Sequence, residues 1–270
     1  MTRGLAALLE SLWLVTVLPA VGVGAETARQ ILDRAKQLDD TTRHWDDRHQ
    51  RMKLTITDRR GAQRVREFEL YDRKYPGDEQ KSIVFFTGPA EVKGTAFLAF
   101  THRSKPAEQW LYAPQIQRVR PITANIRNES FVGSDLSYHD FDLVTEMPGW
   151  KETDARTALR GEEAIDGASC DVIELAPQRD DIGYKKIVTW MGREDLVARQ
   201  IELWDDGAAP SKRIRQRDIR PEGAIPVAHE VSVETPAANT KTVIDVSEVV
   251  FNQGLEDELF AQRALERGER

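Results

Sequence analysis

Met52-Lys53-Leu54-Thr55-Ile56-Thr57, Asp58-Arg59-Arg60-Gly61 and Val65-Arg66-Glu67-Phe68-Glu69-Leu70 follow one another along the chain. Met52, Leu54 and Ile56 alternate with polar Lys53, Thr55 and Thr57, and Asp58 to Gly61 carries turn residues. Successive side chains of a strand point to opposite faces, so the stretch predicts a β-hairpin closed by a longer loop. The signal spreads outward. Ile83-Val84-Phe85-Phe86 and Gly94 to Phe100 read as strands apolar on both faces, and Gln109 to Tyr112 and Gln115 to Arg120 follow. Gly161 to Ala176 predicts a hairpin turning at Asp166-Gly167, and Lys185 to Met191 pairs with Val197 to Trp204. Asp206-Gly207 leads into Lys212 to Ile219, then come Ala228 to Glu234 and Thr242 to Val250. About a dozen strands joined by short turns favour an antiparallel meander over βαβ units. So many in one run predict a strongly curved sheet or partial barrel, which hides most edges.

Three segments have helical spacing instead. Glu26 to Leu38 places Ile31, Leu32, Ala35 and Leu38 on one face. Ser137 to Val144 starts on a capping residue, with Tyr138, Phe141 and Leu143 apolar, and Asp257 to Arg267 reads as a last helix. The 270 residues are 40% hydrophobic and 31% charged, a globular mixture long enough to bury a core without disulfides or metals. Residues 1–25 combine basic Arg3, an apolar run from Leu5 to Val23 interrupted by Glu10, and the small-residue end Val23-Gly24-Ala25. They read as a signal peptide cut after Ala25, leaving residues 26–270 as one β domain; an N-terminal anchor is the rival reading. Removal takes away one base and one acid, so the net charge stays at −7, with no basic footprint for nucleic acid. Cys170 is the one cysteine and reads as a buried, inert thiol.

Four motifs occur in order: Gly94-Thr95-Ala96-Phe97-Leu98, Trp110-Leu111-Tyr112-Ala113-Pro114, Arg118-Val119-Arg120-Pro121-Ile122 and Ser130-Phe131-Val132-Gly133-Ser134-Asp135-Leu136-Ser137-Tyr138. Together they resemble the outer-membrane lipoprotein-sorting protein family of the LolA-like superfamily, from about Thr27 to Leu259-Phe260. The resemblance implies a mainly β fold, a half-open antiparallel β-barrel with an N-terminal helix and short lid helices. It implies a periplasmic protein that binds acyl chains of lipoproteins or other envelope lipids, an inner-membrane exporter as partner, and neither cofactor nor catalysis; no cysteine lies near the cut after Ala25, which argues against a lipid anchor. An acyl chain needs a dry concave surface, each buried methylene contributing about 0.8 kcal/mol. The aromatic and apolar candidates for that surface are Phe85, Phe97, Leu98, Phe100, Trp110, Tyr112, Phe131 and Phe141; ordinary core is the competing reading for each, and period two does not say which strand face is the hollow. Gly133, Ser134, Asp135 and Tyr138 are candidates for a docking loop.

The sharper chemical readings are weaker. Ser130 or Ser134 with His139 and Asp140 has the residue types of a lipid hydrolase, but a triad is a matter of geometry, and no Gly-x-Ser-x-Gly elbow occurs. Gly133 as a tight turn, with Ser134 or Asp135 capping the next helix, explains the same residues. His44, His49, His102, His139 and His229 form no metal-binding spacing. His44 and His49 read as the joint between first helix and first strand. Arg213, Arg215 and Arg217 line one strand face, paired with acids such as Glu230 and Glu234 or offered to lipid phosphates. A non-catalytic interaction module, its cavity filled by its own side chains, is the alternative to a carrier.

Overall fold

The computed structural model describes residues 26–103 and 105–267; the proposed signal segment lies outside them. Thr27-Ala28-Arg29-Gln30 opens helix α1 (Ala28–Asp40) with a reciprocal capping box, Thr27 N–H donating to Gln30 Oε1 at 2.8 Å. The helix buries Ala28, Ile31 and Ala35, the face its spacing predicts.

Six strands then run back and forth: β1 (Asp47–Thr57), β2 (Gln63–Tyr75), β3 (Glu79–Gly88), β4 (Ala96–Thr101), β5 (Glu108–Ala113) and β6 (Arg118–Pro121). Helix α2 (Tyr138–Glu146) follows, and after it seven more strands: β7 (Ala155–Ile165), β8 (Ala168–Pro177), β9 (Lys186–Gly192), β10 (Ala198–Trp204), β11 (Lys212–Glu222), β12 (Ile225–Thr235) and β13 (Thr240–Phe251). All thirteen form one antiparallel sheet in the order β6-β5-β4-β3-β2-β1-β13-β12-β11-β10-β9-β8-β7. Every neighbour is a sequence neighbour except at the β1–β13 seam, where Arg48 to Thr57 runs against Phe251 to Lys241. Asp47 fastens the seam: its carboxylate accepts the Gln253, Gly254 and Leu255 N–H groups at 2.8, 2.9 and 3.2 Å. The outer strands β6 and β7 do not pair with each other, so the barrel is half-open, as the sequence predicts. The chain leaves β6 at one edge and must enter β7 at the other, so residues 122–154, with α2, cross the sheet.

Packing separates the faces. On the inner face, α1 packs on Leu175, Ile187, Ile201 and Ile214, while Phe131 and Tyr138 pack on Phe68, Phe86 and Phe97. On the outer face, Ile83, Phe85 and Leu98 pack against Phe260 and Leu265. The predicted helix Asp257 to Arg267 is two pieces, a single 3-10 turn at Asp257–Phe260 and helix α3 (Gln262–Arg267), because Ala261 is extended with ψ 149°. His49 belongs to β1, where its ring stacks on Tyr71 with centroids 4.4 Å apart, while His44 lies in the joint. Cys170 is fully buried, and burial raises its thiol pKa.

Candidate functional site

Between the inner sheet face and the α1–α2 cover lies a hollow of about 770 Å3, within the usual range of ligand cavities, roughly 300–1,000 Å3. Met52, Leu70, Ile201, Val231 and Ile244 from the sheet and Phe141 from α2 are among its apolar lining.

The lining is ordered. Along β1 the inward residues run Leu54, Met52, Gln50, Arg48; along β2, Phe68, Leu70, Asp72, Lys74; along β3, Phe86, Val84, Ser82, Gln80. Pairing aligns these rows, with Met52 opposite Phe68, Gln50 opposite Leu70 and Arg48 opposite Asp72. Leu70 faces Val84, Asp72 faces Ser82, and Lys74 faces Gln80. Three strands therefore change from apolar to polar in the same direction. At the polar end Asp72, 1% exposed, accepts Arg48 at 2.6 Å, Ser82 Oγ at 2.6 Å and Gln80 Nε2 at 3.0 Å. Burial pulls the Lys36 ammonium pKa down, but its hydrogen bonds to Asp40 and Asp78 outweigh that and raise it. Burial raises the Asp39 carboxyl against the pull of Arg43 and Lys74.

Buried aspartates tie the cover down. Ser137 caps α2 in a box with Asp140, so the cap is Ser137 and neither Ser134 nor Asp135. Asp140, fully buried, accepts Ser137 N–H at 2.7 Å, Tyr184 Oη–H at 2.6 Å and the Lys212 ammonium of β11. Asp135 instead grips the β12–β13 hairpin, accepting Thr235 and Thr242 hydroxyls at 2.7 Å each and the Thr240 hydroxyl. Of the docking-loop candidates, Ser134, Asp135 and Tyr138 thus face inward and only Gly133 is exposed. Gly133 has φ +82°, a left-handed turn that glycine suits.

Alternation divides the apolar candidates. Phe131 and Phe141 line the hollow. Phe97 shares their face but is fully buried beneath them, its ring 5.2 Å from that of Phe131 and 5.3 Å from that of Phe141. Phe85, Leu98, Phe100, Trp110 and Tyr112 sit on the outer face against Phe260 and Leu265, so these five do not line the hollow. Sequence reading passed over Lys74 and Gln50 and placed Trp45 and Arg48 in the joint before the first strand; the signal for Lys74, Gln50 and Arg48 was the change from apolar to polar at i, i+2 spacing along two adjoining strands.

The hydrolase parts do not assemble. Ser130 Oγ donates to Ser134 O, Ser134 Oγ to Leu136 O at 3.3 Å, and His139 Nε2 meets Ile182 O at 2.5 Å. The arginine row is matched within the sheet: Arg213 with Glu202 at 2.8 Å, Arg215 with Gln200 at 2.7 Å, Arg217 with Asp166 at 2.9 Å and Glu230 at 3.4 Å. Among the described residues no group of three or more His, Cys, Asp or Glu could hold a metal ion, and no helix is long and apolar enough to cross a membrane.

A protein-family model described only as "Uncharacterized protein" matches residues 78–267. None of the curated proteins matches the chain. Among solved structures, a DUF1329 family protein from Desulfovibrio piger is similar over 88% of this chain and 97% of its own, with 26% identity and a TM-score of 0.80. An outer membrane lipoprotein-sorting protein domain from Vibrio parahaemolyticus gives 24% identity and a TM-score of 0.79 over 88% and 97%. A LolA superfamily protein from Nitrosomonas europaea gives 18% and 0.64 over 89% and 100%. The fold expected from the four motifs is therefore the fold observed.

Proposed function

The chain belongs to the family whose model it matches over residues 78–267 and has the LolA-like fold of lipoprotein-sorting domains, and from that premise we propose that it is a lipid carrier, holding acyl chains in the hollow under α1 and α2. The observation that carries this reading is the hollow itself, about 770 Å3 and lined by Met52, Leu70, Ile201, Val231, Ile244 and Phe141. Apolar side chains around open space gain little from one another, and an acyl chain filling that space gains about 0.8 kcal/mol for each methylene it buries. The outer-face candidates Phe85, Leu98, Phe100, Trp110 and Tyr112 are core in this reading. The role is binding rather than catalysis, since the serine hydroxyls and His139 Nε2 are hydrogen-bonded to backbone carbonyls. The cell compartment proposed is the periplasm, reached through residues 1–25, where the ligand is an acyl chain of a lipoprotein or another envelope lipid and an inner-membrane exporter supplies it.

Native mass spectrometry of protein exported by its own leader tests the reading. About one lipid per chain, removable by extraction and restored by added lipid, is the expected result, with one hollow of this size taking one ligand. A protein that arrives empty and ignores added lipid would transfer the function to a non-catalytic interaction module.

A further inference from the structure

The hollow has a dry end and a polar end, and among the described residues the polar end holds one cation that no ion pair engages. Six Lys and Arg side chains line the hollow, and five of them, Arg29, Lys36, Arg43, Arg48 and Arg103, have a carboxylate oxygen within 4.0 Å. Lys74 is the sixth, and no ion pair holds it among the described residues. Its Nζ lies 4.1 Å from the ring centroid of buried Trp45, which also carries the Arg48 guanidinium at 4.8 Å. Arg48 is engaged by Asp72 at 2.6 Å, and the acid acting most strongly on Lys74, Asp39, has Arg43 at 3.9 Å.

An aromatic face returns about 0.5–2 kcal/mol to a cation, whereas taking an ammonium out of water costs several kcal/mol. Burial, with Arg48 and Lys36 nearby, accordingly lowers the Lys74 pKa, and Asp39 and Asp40 only partly oppose this. A ligand oxyanion at this point would supply the charge-assisted hydrogen bond that the protein itself does not. On the same strand, Phe68 and Leu70 continue the inward row away from Lys74. Six residues of strand separate Phe68 from Lys74, roughly 20 Å of graded lining.

We infer that the hollow takes an anionic amphiphile, its acyl tail along the Phe68–Leu70 end and its oxyanion headgroup, phosphate or carboxylate, on Lys74. This rests on the acyl-carrier reading and narrows it, because neutral acyl esters and amides satisfy only the dry end.

Calorimetric titration with decyl phosphate, decanoate and decanol, which share one tail, separates the two claims. Both anions are expected to bind at least about tenfold tighter than decanol, a difference of roughly 1.4 kcal/mol. Lys74→Gln is expected to bring the anions down to the affinity of decanol while leaving decanol unchanged, and Lys74→Arg to keep the preference. Equal binding of all three ligands, or a preference that survives in Lys74→Gln, would overturn the headgroup inference and leave the acyl reading standing. Failure of all three to bind would overturn the acyl reading itself. Inorganic phosphate binding as tightly as decyl phosphate would mean a free-oxyanion site, which also overturns the inference. Thermal melting of each variant checks that it is folded.

Discussion

Gln109 Nε2 donates to Asp142 Oδ1 at 2.8 Å, joining strand β5 to the helix that covers the hollow. The same amide donates to Tyr138 O at 2.9 Å, so one side chain grips α2 at two points a helical turn apart. Burial pushes the Asp142 carboxyl up to about 7, against the opposing pull of Arg127 and Gln109. The folded protein therefore keeps a proton that the unfolded chain loses near the ordinary aspartate value. The stability contributed by protonated Asp142 is fully present below about pH 4, declines as pH rises, and is gone above about pH 7. Asp142→Asn, which cannot ionise, is expected to flatten that decline by on the order of 3 kcal/mol between about pH 5 and pH 8. Urea midpoints across the range check it; parallel pH profiles for both proteins would contradict it.

Asp140→Ala is expected to be among the most damaging single changes in the cover. It strands the Lys212 ammonium, the Tyr184 hydroxyl and the Ser137 N–H at once. Breaking one side of a buried ion pair costs about 3–5 kcal/mol, and adding Lys212→Met is expected to restore part of it. Denaturant unfolding of the two single variants and the double variant measures the coupling. Simple additivity would mean that the pair does not hold α2.

Alternation along the strands makes opposite predictions for the two sheet faces. Met52→Glu or Ile244→Glu puts a charge into the hollow and is expected to abolish acyl binding in a folded protein. Trp110→Ala, on the outer face, is expected to leave acyl binding unchanged and to loosen the Phe260–Leu265 segment, at about 3–5 kcal/mol for a well-buried aromatic and less for this partly exposed one. Ligand titration and melting of each variant distinguish the cases, and the reverse pattern would place the binding surface on the convex side.

Cys170 is 0% exposed and its thiol pKa is raised by burial. Alkylation at neutral pH is therefore expected to follow unfolding, and the native protein is expected to stay unlabelled under conditions that modify the urea-unfolded chain within minutes. Fast labelling of native protein would show that the β8–β9 region opens locally.

Much of this fold was legible because hairpins announce themselves locally: Asp58 to Gly61 and Asp166-Gly167 are turn chemistry set between alternating runs. The faces were not legible, since period two treats Phe97 and Leu98 alike until something packs on one side. Residues 122–154 decide the matter for one face and Phe260 with Leu265 for the other, and both reach their strands by long-range contact. The helix starts on Ser137, as its spacing predicts, but the alternative cap at Ser134 or Asp135 fails for a similar reason. Ser134 and Asp135 have capping chemistry, but Thr235, Thr240 and Thr242 compete for Asp135 from 100 to 107 residues away. The aromatic candidates drew attention by size, while the residues that grade the hollow from dry to wet are individually ordinary and matter through cross-strand register.

The seam between β1 and β13 sets an order of events. Arg51 meets Glu248 across it, 197 residues away, while the other pairings join strands that follow one another. Local hairpins form quickly, and a contact of such separation is slow to close. Until β13 is in place, β1 presents an unpaired backbone edge able to recruit another chain. Met52 and Leu54 of β1 and Ile244 and Val246 of β13 meet along that seam on the floor of the hollow. A chain synthesised only as far as β12 has twelve of the thirteen strands and still lacks one side of that floor, so under the acyl-carrier reading a ligand has nowhere to settle until β13 arrives.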